Sequence, residues 1–370
     1  MAACDDPSDF DSPLTERVTA ELGRFIDQHT AALVSLHPDL EMLAEAVRAA
    51  VLDGGKRIRP TFGYWGWRSV QPAGAAGELE LVRAVASLEL LQACALVHDD
   101  VMDCSDTRRG QPAAHVRFAR LHQAHGWPGS AESFGNSGAI LLGDLLLSWA
   151  EEMFTGAISL LPAERAAAAE REFDLMRTEV VAGQFLDVLA QTRGEFDPAE
   201  ALRVIRFKTS KYTVQRPLLL GAAAAGGDPA TLELLSGYGH ALGEAYQLRD
   251  DLRGVFCDPA QTGKPAGDDL REGKRTLLVA LAMQTADGRQ GALLRAGVGN
   301  PELDQGQVEE LRGVLRATGA PDRVEQRIAE CAAEATARLS SGGQDGRGPL
   351  RPDAQDALLE LAHTTAHRSF

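Results

Sequence analysis

The chain has 370 residues, of which 24% are charged, 44% hydrophobic and only 5% aromatic, and 53 acidic against 37 basic residues leave a formal net charge of −16. That balance argues against a nucleic-acid binder, which would carry a basic face. It leaves an anionic substrate open, because a divalent cation inverts the local charge logic. The length suffices for a sizeable core, in one large domain or two ordinary ones. Five cysteines (Cys4, Cys94, Cys104, Cys257 and Cys331) are scattered without CxxC spacing, which points to a reducing cytoplasm rather than a disulfide framework or a zinc site.

The N-terminal MAACDDPSDFDSP is acidic and polar, unlike a signal peptide. Residues 1–12 read as a mobile tail, and residues 13–370 as a single all-helical domain. Leu40, Leu43, Val47, Ala50 and Val51 share one helical face, and the pattern stops at Gly54-Gly55. GGKRIRP follows at 54–60; it is neither a P-loop nor a dinucleotide fingerprint, since no strand precedes it. Residues 122–136 read as a loop between helices, and 342–353 as another. The apolar run GAILLGDLLLSWA is broken by Asp144, and LLLGAAAAGG is too short to span a bilayer, so no stable membrane insertion is expected. Ser12-Pro13, Asp197-Pro198, Asp228-Pro229 and Asn300-Pro301 each place a capping residue before a proline, a helix-start signal. Asp197 to Glu200 also resembles a capping box. Alternating strand patterns are absent, and the fold class predicted is all-α.

Two aspartate-rich segments interrupt this helical text: LVHDDVMDCSDTRRG at 96–110 and QLRDDLRGVFCD at 247–258. Asp99 and Asp103 are four residues apart and share a helix face with each other, with Asp100 beside them, so an isolated helix gains only repulsion. Mg2+ relieves it by taking oxygen ligands while keeping sites open for water and phosphate. Arg108 and Arg109 then supply guanidinium forks suited to phosphate oxygens. In the second segment Asp250 and Asp251 end an apolar pattern, but the residue four after Asp250 is Gly254. Lys264 and Lys274 downstream, taken alone, read as solvated loop lysines.

The ordered set GGKRIRP, LVHDDVMDCSDTRRGQPAAH, GDLLLS, GQFLD, KTSKY and QLRDDLRGVFCDPAQTGKPAGDDLREGKRT resembles the trans-isoprenyl diphosphate synthases, or polyprenyl synthetases, across roughly residues 40–280. The wording is most similar to bacterial geranylgeranyl or longer-chain synthases. The resemblance implies one helical bundle around an apolar cavity, three Mg2+ ions and a homodimer. Its substrates would be isopentenyl diphosphate and an allylic diphosphate. The implied metal ligands are Asp99, Asp103 and Asp250, supported by Asp100, Asp251 and Asp268. Arg108, Lys208 and Lys264 would clamp the allylic diphosphate, with Gln184, Asp187 and Lys274 around them. Lys56, Arg59, Gln92 and Arg109 would hold isopentenyl diphosphate. Thr209 and Gln247 would face the allylic cation with neutral dipoles.

Product length, by the same resemblance, is read below Asp99. One turn back stand Cys94 and Ala95, with Leu91 another turn deeper. The upper two are small, so the expected product exceeds fifteen carbons, with geranylgeranyl diphosphate first and twenty-five carbons or more as the alternative. A class I terpene cyclase would carry an Asn/Ser/Glu triad in its second segment and would not need GGKRIRP. A non-catalytic subunit would lose one acidic segment. Gly254 and Cys257 depart from the family pattern, and for Cys257 the residues offer no functional account.

Overall fold

The computed structural model describes residues 12–257, 267–340 and 350–367. Helices α1 (Ser12–Leu36), α2 (Glu41–Leu52), α3 (Ile58–Arg68) and α4 (Glu78–Met102) lead into a minimal antiparallel hairpin of β1 (Thr107–Arg108) and β2 (Gln111–Pro112). Helices α5 (Ala114–Ala124), α6 (Ala131–Ile158), α7 (Ala163–Arg193) and α8 (Pro198–Val204) follow. A π-helical segment, Ile205–Gln215, then runs directly into α9 (Arg216–Ala225), and α10 (Pro229–Phe256) comes next. The remaining helices are α11 (Asp268–Glu272), α12 (Leu277–Thr285), α13 (Gly288–Gly297), α14 (Gln305–Ala317), α15 (Ala320–Ser340) and α16 (Pro352–His367). The architecture is all-α.

Helix α4 is the axis of the bundle. Its apolar residues lie on every side, which leaves no polar face to turn to water. By length and composition it could cross a membrane, yet 72% of its most apolar stretch is buried inside the protein. Leu81, Leu88 and Leu90 of α4 pack with Leu142 and Leu146 of α6, and Phe154 stacks on Phe173 of α7 at 4.0 Å between centroids. Burying each such side chain stabilises the fold by about 1.5–3 kcal/mol. A second cluster joins Leu248 and Leu252 of α10 to Leu278, Leu315 and Val324 of the C-terminal helices. The two clusters anchor α4 and α10, the helices that carry the acidic segments.

The cap reading holds at Asp197 and Asp228, whose side chains accept from Ala199 and Thr231 N–H. Ser12 opens α1. Glu200 turns to Arg203 rather than closing a capping box. Asn300-Pro301 starts a turn and not a helix: Asn300 accepts from Glu302 N–H, and the next helix waits for the capping box of Asp304 with Gln307. The loop expected over 122–136 shrinks to 125–130, because Ser130 caps α6 and brings Ala131 to Asn136 into it. The tail expected at 1–12 lies outside the described residues apart from Ser12, as does most of the 342–353 loop. Cys94, Cys257 and Cys331 are buried and Cys104 is exposed, all four outside any disulfide.

Candidate active site

The last turn of α4 and the last turns of α10 bring the acidic segments onto the wall of one cavity of about 1300 Å3. Asp99 lies on that wall. It accepts from Lys208 Nζ at 3.0 Å and from Gln184 Nε2 at 3.0 Å, with Arg108 3.6 Å away. Burial works to raise its carboxyl, but the charges of Lys208, Lys274 and Arg108 outweigh that and hold it below the usual carboxylate range. Lys208 also donates to Asp187 at 2.7 Å.

Asp100 points the other way. It is buried, and Arg108 donates to it through Nε at 2.9 Å and again through Nη2. The helix rotates about 100° per residue, so neighbours cannot share one ligand position. Asp103 ends α4 as its C-cap, with a side chain only 1% exposed. Both of its carboxylate oxygens are buried without a hydrogen-bond partner among the described residues, and Lys274 Nζ stands 3.7 Å off. Burial, then the charge of Asp99, pushes its carboxyl up to about 6.

On α10, Asp250 and Asp251 both line the cavity, Asp250 exposed and Asp251 buried. Gln247 donates to Asp251 at 2.7 Å. Burial, with Asp269 and Asp250 nearby, pushes Asp251 up to about 8. The third carboxylate on this side comes from another helix. A Cβ at Gly254 would overlap the carboxylate of Asp269, which therefore fills the place left by the glycine. Asp269 lines the cavity and Asp268, the expected ligand, does not. The two are consecutive in the short α11, so they face different ways. Lys274 gathers this side, at 3.3 Å from Asp269 and 2.6 Å from Glu272. Lys264 lies outside the described residues.

The wall also carries Lys56, Arg59, Gln92 and Arg109, all from the predicted set. Arg109 donates to the carbonyls of Asp53 and Gly54 at 3.2 and 3.0 Å, which ties the basic loop to the first acidic segment. Arg59 donates to Thr213 at 2.8 Å and lies 4.3 Å over the Tyr212 ring. Arg57, in the same loop, is buried and paired with Glu89 at 2.7 Å, so it supports the loop rather than the cavity.

Lys208 and Thr209 sit in the π-helical segment. Cavity-lining pairs recur every four residues from the junction with α8 through this segment: Val204 with Ile205, Lys208 with Thr209, Tyr212 with Thr213. That repeat is wider than the 3.6 of an α-helix, and the π geometry keeps all three pairs on one face. Gly183 of α7 allows the approach, since a Cβ there would collide with the Lys208 backbone. Tyr212, Asp269 and the π geometry were missed in the sequence; KTSKY and GDDLREGK held the residues, but their rotational phase was not visible.

The donor set is carboxylate oxygen, which suits Mg2+. Asp103, with two buried oxygens lacking hydrogen-bond partners among the described residues, is the observation that fits a cation best. Among the described residues no three acidic, His or Cys side chains close into a cage. Mg2+ does not need one, because it is commonly held by one or two carboxylates with water and phosphate.

Residues 40–315 match the polyprenyl synthetase family. A geranylgeranyl pyrophosphate synthase from Corynebacterium glutamicum, solved in complex with isoprenyl diphosphate and magnesium, is 40% identical with a TM-score of 0.90, covering 96% of this chain and 99% of its own. Geranylfarnesyl diphosphate synthase of Aeropyrum pernix is 31% identical over 82% of this chain and 87% of its own. Octaprenyl diphosphate synthase of Escherichia coli is 30% identical over 92% and 94%. An all-helical bundle, two acidic segments on one cavity and this coverage lead to one conclusion: the chain belongs to the polyprenyl synthetase family.

Proposed function

We propose that the protein is a Mg2+-dependent prenyltransferase that condenses isopentenyl diphosphate with an allylic diphosphate into a linear all-trans prenyl diphosphate. Geranylgeranyl diphosphate is the favoured product, and a chain of twenty-five carbons or more the alternative. The observation that carries this reading is Asp99 on a cavity ringed by Lys208, Arg108 and Lys274, with Asp103 next to it, its carboxylate buried and without a hydrogen-bond partner among the described residues although it does not itself line the cavity.

Asp99, Asp103 and Asp250 would hold the metal, with Asp251 and Asp269 in support. Bound Mg2+ would neutralise charge on the leaving pyrophosphate. Lys208 and Arg108 orient the allylic diphosphate through fixed cationic donors, a preorganised field that needs no rearrangement as charge develops. Lys56, Arg59, Gln92 and Arg109 position isopentenyl diphosphate so that its double bond meets the allylic carbon. As the allylic C–O bond breaks, the Thr209 and Gln247 dipoles face the cation. The new C–C bond leaves a proton to be lost, and the departing pyrophosphate is its acceptor. The apolar wall below excludes water that would quench the cation.

A homodimer is the proposed assembly, supported by exposed Ile140 and Leu141 on α6, which lie outside the cavity lining. The test is incubation with isopentenyl diphosphate and each allylic primer, with Mg2+ or EDTA, followed by mass spectrometry of the dephosphorylated products. Mg2+-dependent linear prenyl alcohols support the reading. Cyclic hydrocarbons, or no product from any primer, overturn it.

A further inference from the structure

The cavity does not stop at the small residues under Asp99. It passes Cys94, Ala95 and Leu91 and continues to Leu147 of α6 and to Thr178, Arg177 and Asp174 of α7. From Asp187 beside Lys208 to Asp174 is thirteen residues of one helix, ~20 Å of wall. No aromatic side chain on α4 blocks that course, since the three residues expected to gauge product length are thiol, methyl and isobutyl groups.

What closes the far end is charged. Arg177 pairs with Glu151 across from α6 and with Asp174 on its own helix. Its guanidinium lies 4.7 Å over the Phe173 ring, and Phe173 is itself fully buried against Phe154. The guanidinium is thus held from three directions. Its Nε is buried without a hydrogen-bond partner among the described residues. A hydrocarbon tail gains by burying apolar surface until it meets this group. Going further means displacing the guanidinium from its carboxylates and from the Phe173 ring, so the next five-carbon unit meets a solvated charge where the units before it met apolar wall.

We propose that Arg177, tethered by Glu151 and Asp174, is the floor of the elongation cavity, so that an ion pair between α6 and α7 limits product length. The inference rests on the prenyltransferase reading. It moves the limit from α4, where the sequence placed it, to a residue that the sequence reading did not single out.

Two variants and one binding series test it. Arg177→Leu removes the charge and leaves the aliphatic stem volume, and Glu151→Leu breaks the bridge between α6 and α7, leaving Arg177 only Asp174 and the Phe173 ring on its own helix. Both are expected to lengthen the product by at least one five-carbon unit. Unchanged product lengths in both variants overturn the proposal. Binding is read separately by calorimetry, with Mg2+ and linear alkyl bisphosphonates of graded chain length. In the wild type, affinity should rise by about fourfold per added methylene and then level off, and in Arg177→Leu the levelling should move to longer chains. A break at the same length in both proteins overturns the proposal even if neither turns over. Should Arg177→Leu fail to fold, the Glu151→Leu series decides by the same criterion. Failure of the prenyltransferase reading itself shows differently, as a wild type that makes no linear product from any primer.

Discussion

Lys208 stands 3.0 Å from Asp99, reaching from the π-helical segment to the end of α4 across 109 residues of sequence. The pair is mostly buried, and the lysine is shared with Asp187. It therefore keeps Asp99 ionised and also presents an ammonium to the cavity. Replacing Lys208 with Ala should lower kcat by ~10²–10³. It should also destabilise the protein by about 3 kcal/mol, because the mostly buried Asp99 and Asp187 both lose their nearest cation. Steady-state kinetics and chemical denaturation check the two effects. A variant with normal kcat would remove Lys208 from the catalytic assignment.

Gly254 and Asp269 are a second coupled pair. Alanine at 254 gains about 1 kcal/mol of helix propensity over glycine, but its methyl would displace the Asp269 carboxylate from its place beside Lys274. Gly254→Ala is expected to lower the melting temperature and weaken Mg2+-dependent activity. In an Asp269→Ala background the same substitution should raise the melting temperature, so the coupling should exceed about 1 kcal/mol. Equal effects in both backgrounds would show that the two positions do not share the space.

Asp251 sets a pH dependence for the metal-free protein. Its carboxyl is pushed up to about 8 from an ordinary 3.8, first by burial. A raised carboxyl binds its proton more tightly folded than unfolded, so its contribution is full below pH 3.8 and is lost as pH climbs to about 8. Asp251→Asn removes that loss. In EDTA the variant should match the wild type near pH 4 and exceed it in stability by a few kcal/mol (~2–4) at pH 8. Thermal melts across that range test it, and parallel curves for the two proteins would contradict the assignment. With Mg2+ present the order should reverse, since Asn cannot supply the charge.

Much of this protein was legible before any coordinates. Alanine- and leucine-rich periodicity, capping residues before prolines and the absence of alternation specify an all-α bundle, because helix formation depends on neighbours three and four residues away. The order of basic, acidic and lysine-bearing motifs identified the family and many charged residues of the cavity wall, from Lys56 to Lys274. The exceptions are instructive. Asp99 and Asp103 share a helix face as their spacing requires, yet Asp100 between them is committed to Arg108. Asn300-Pro301 carries a start signal, and a capping box at Asp304 wins the helix.

Tertiary structure alone decided how distant residues meet. That Asp269 and not Asp268 fills the space over Gly254 depends on how α11 docks against α10, since consecutive helical residues differ by about 100° in direction. That Lys208, Thr209 and Tyr212 face one way depends on a π-helical stretch that no local pattern announced. The pairing of Arg177 with Glu151 exists because α6 and α7 lie side by side, bringing together residues 26 apart in sequence. Local sequence determines each helix and its apolar face. The convergence of charges at a cavity belongs to packing, where burial of the apolar faces of α4 and α10 outweighs the repulsion of the carboxylates they carry.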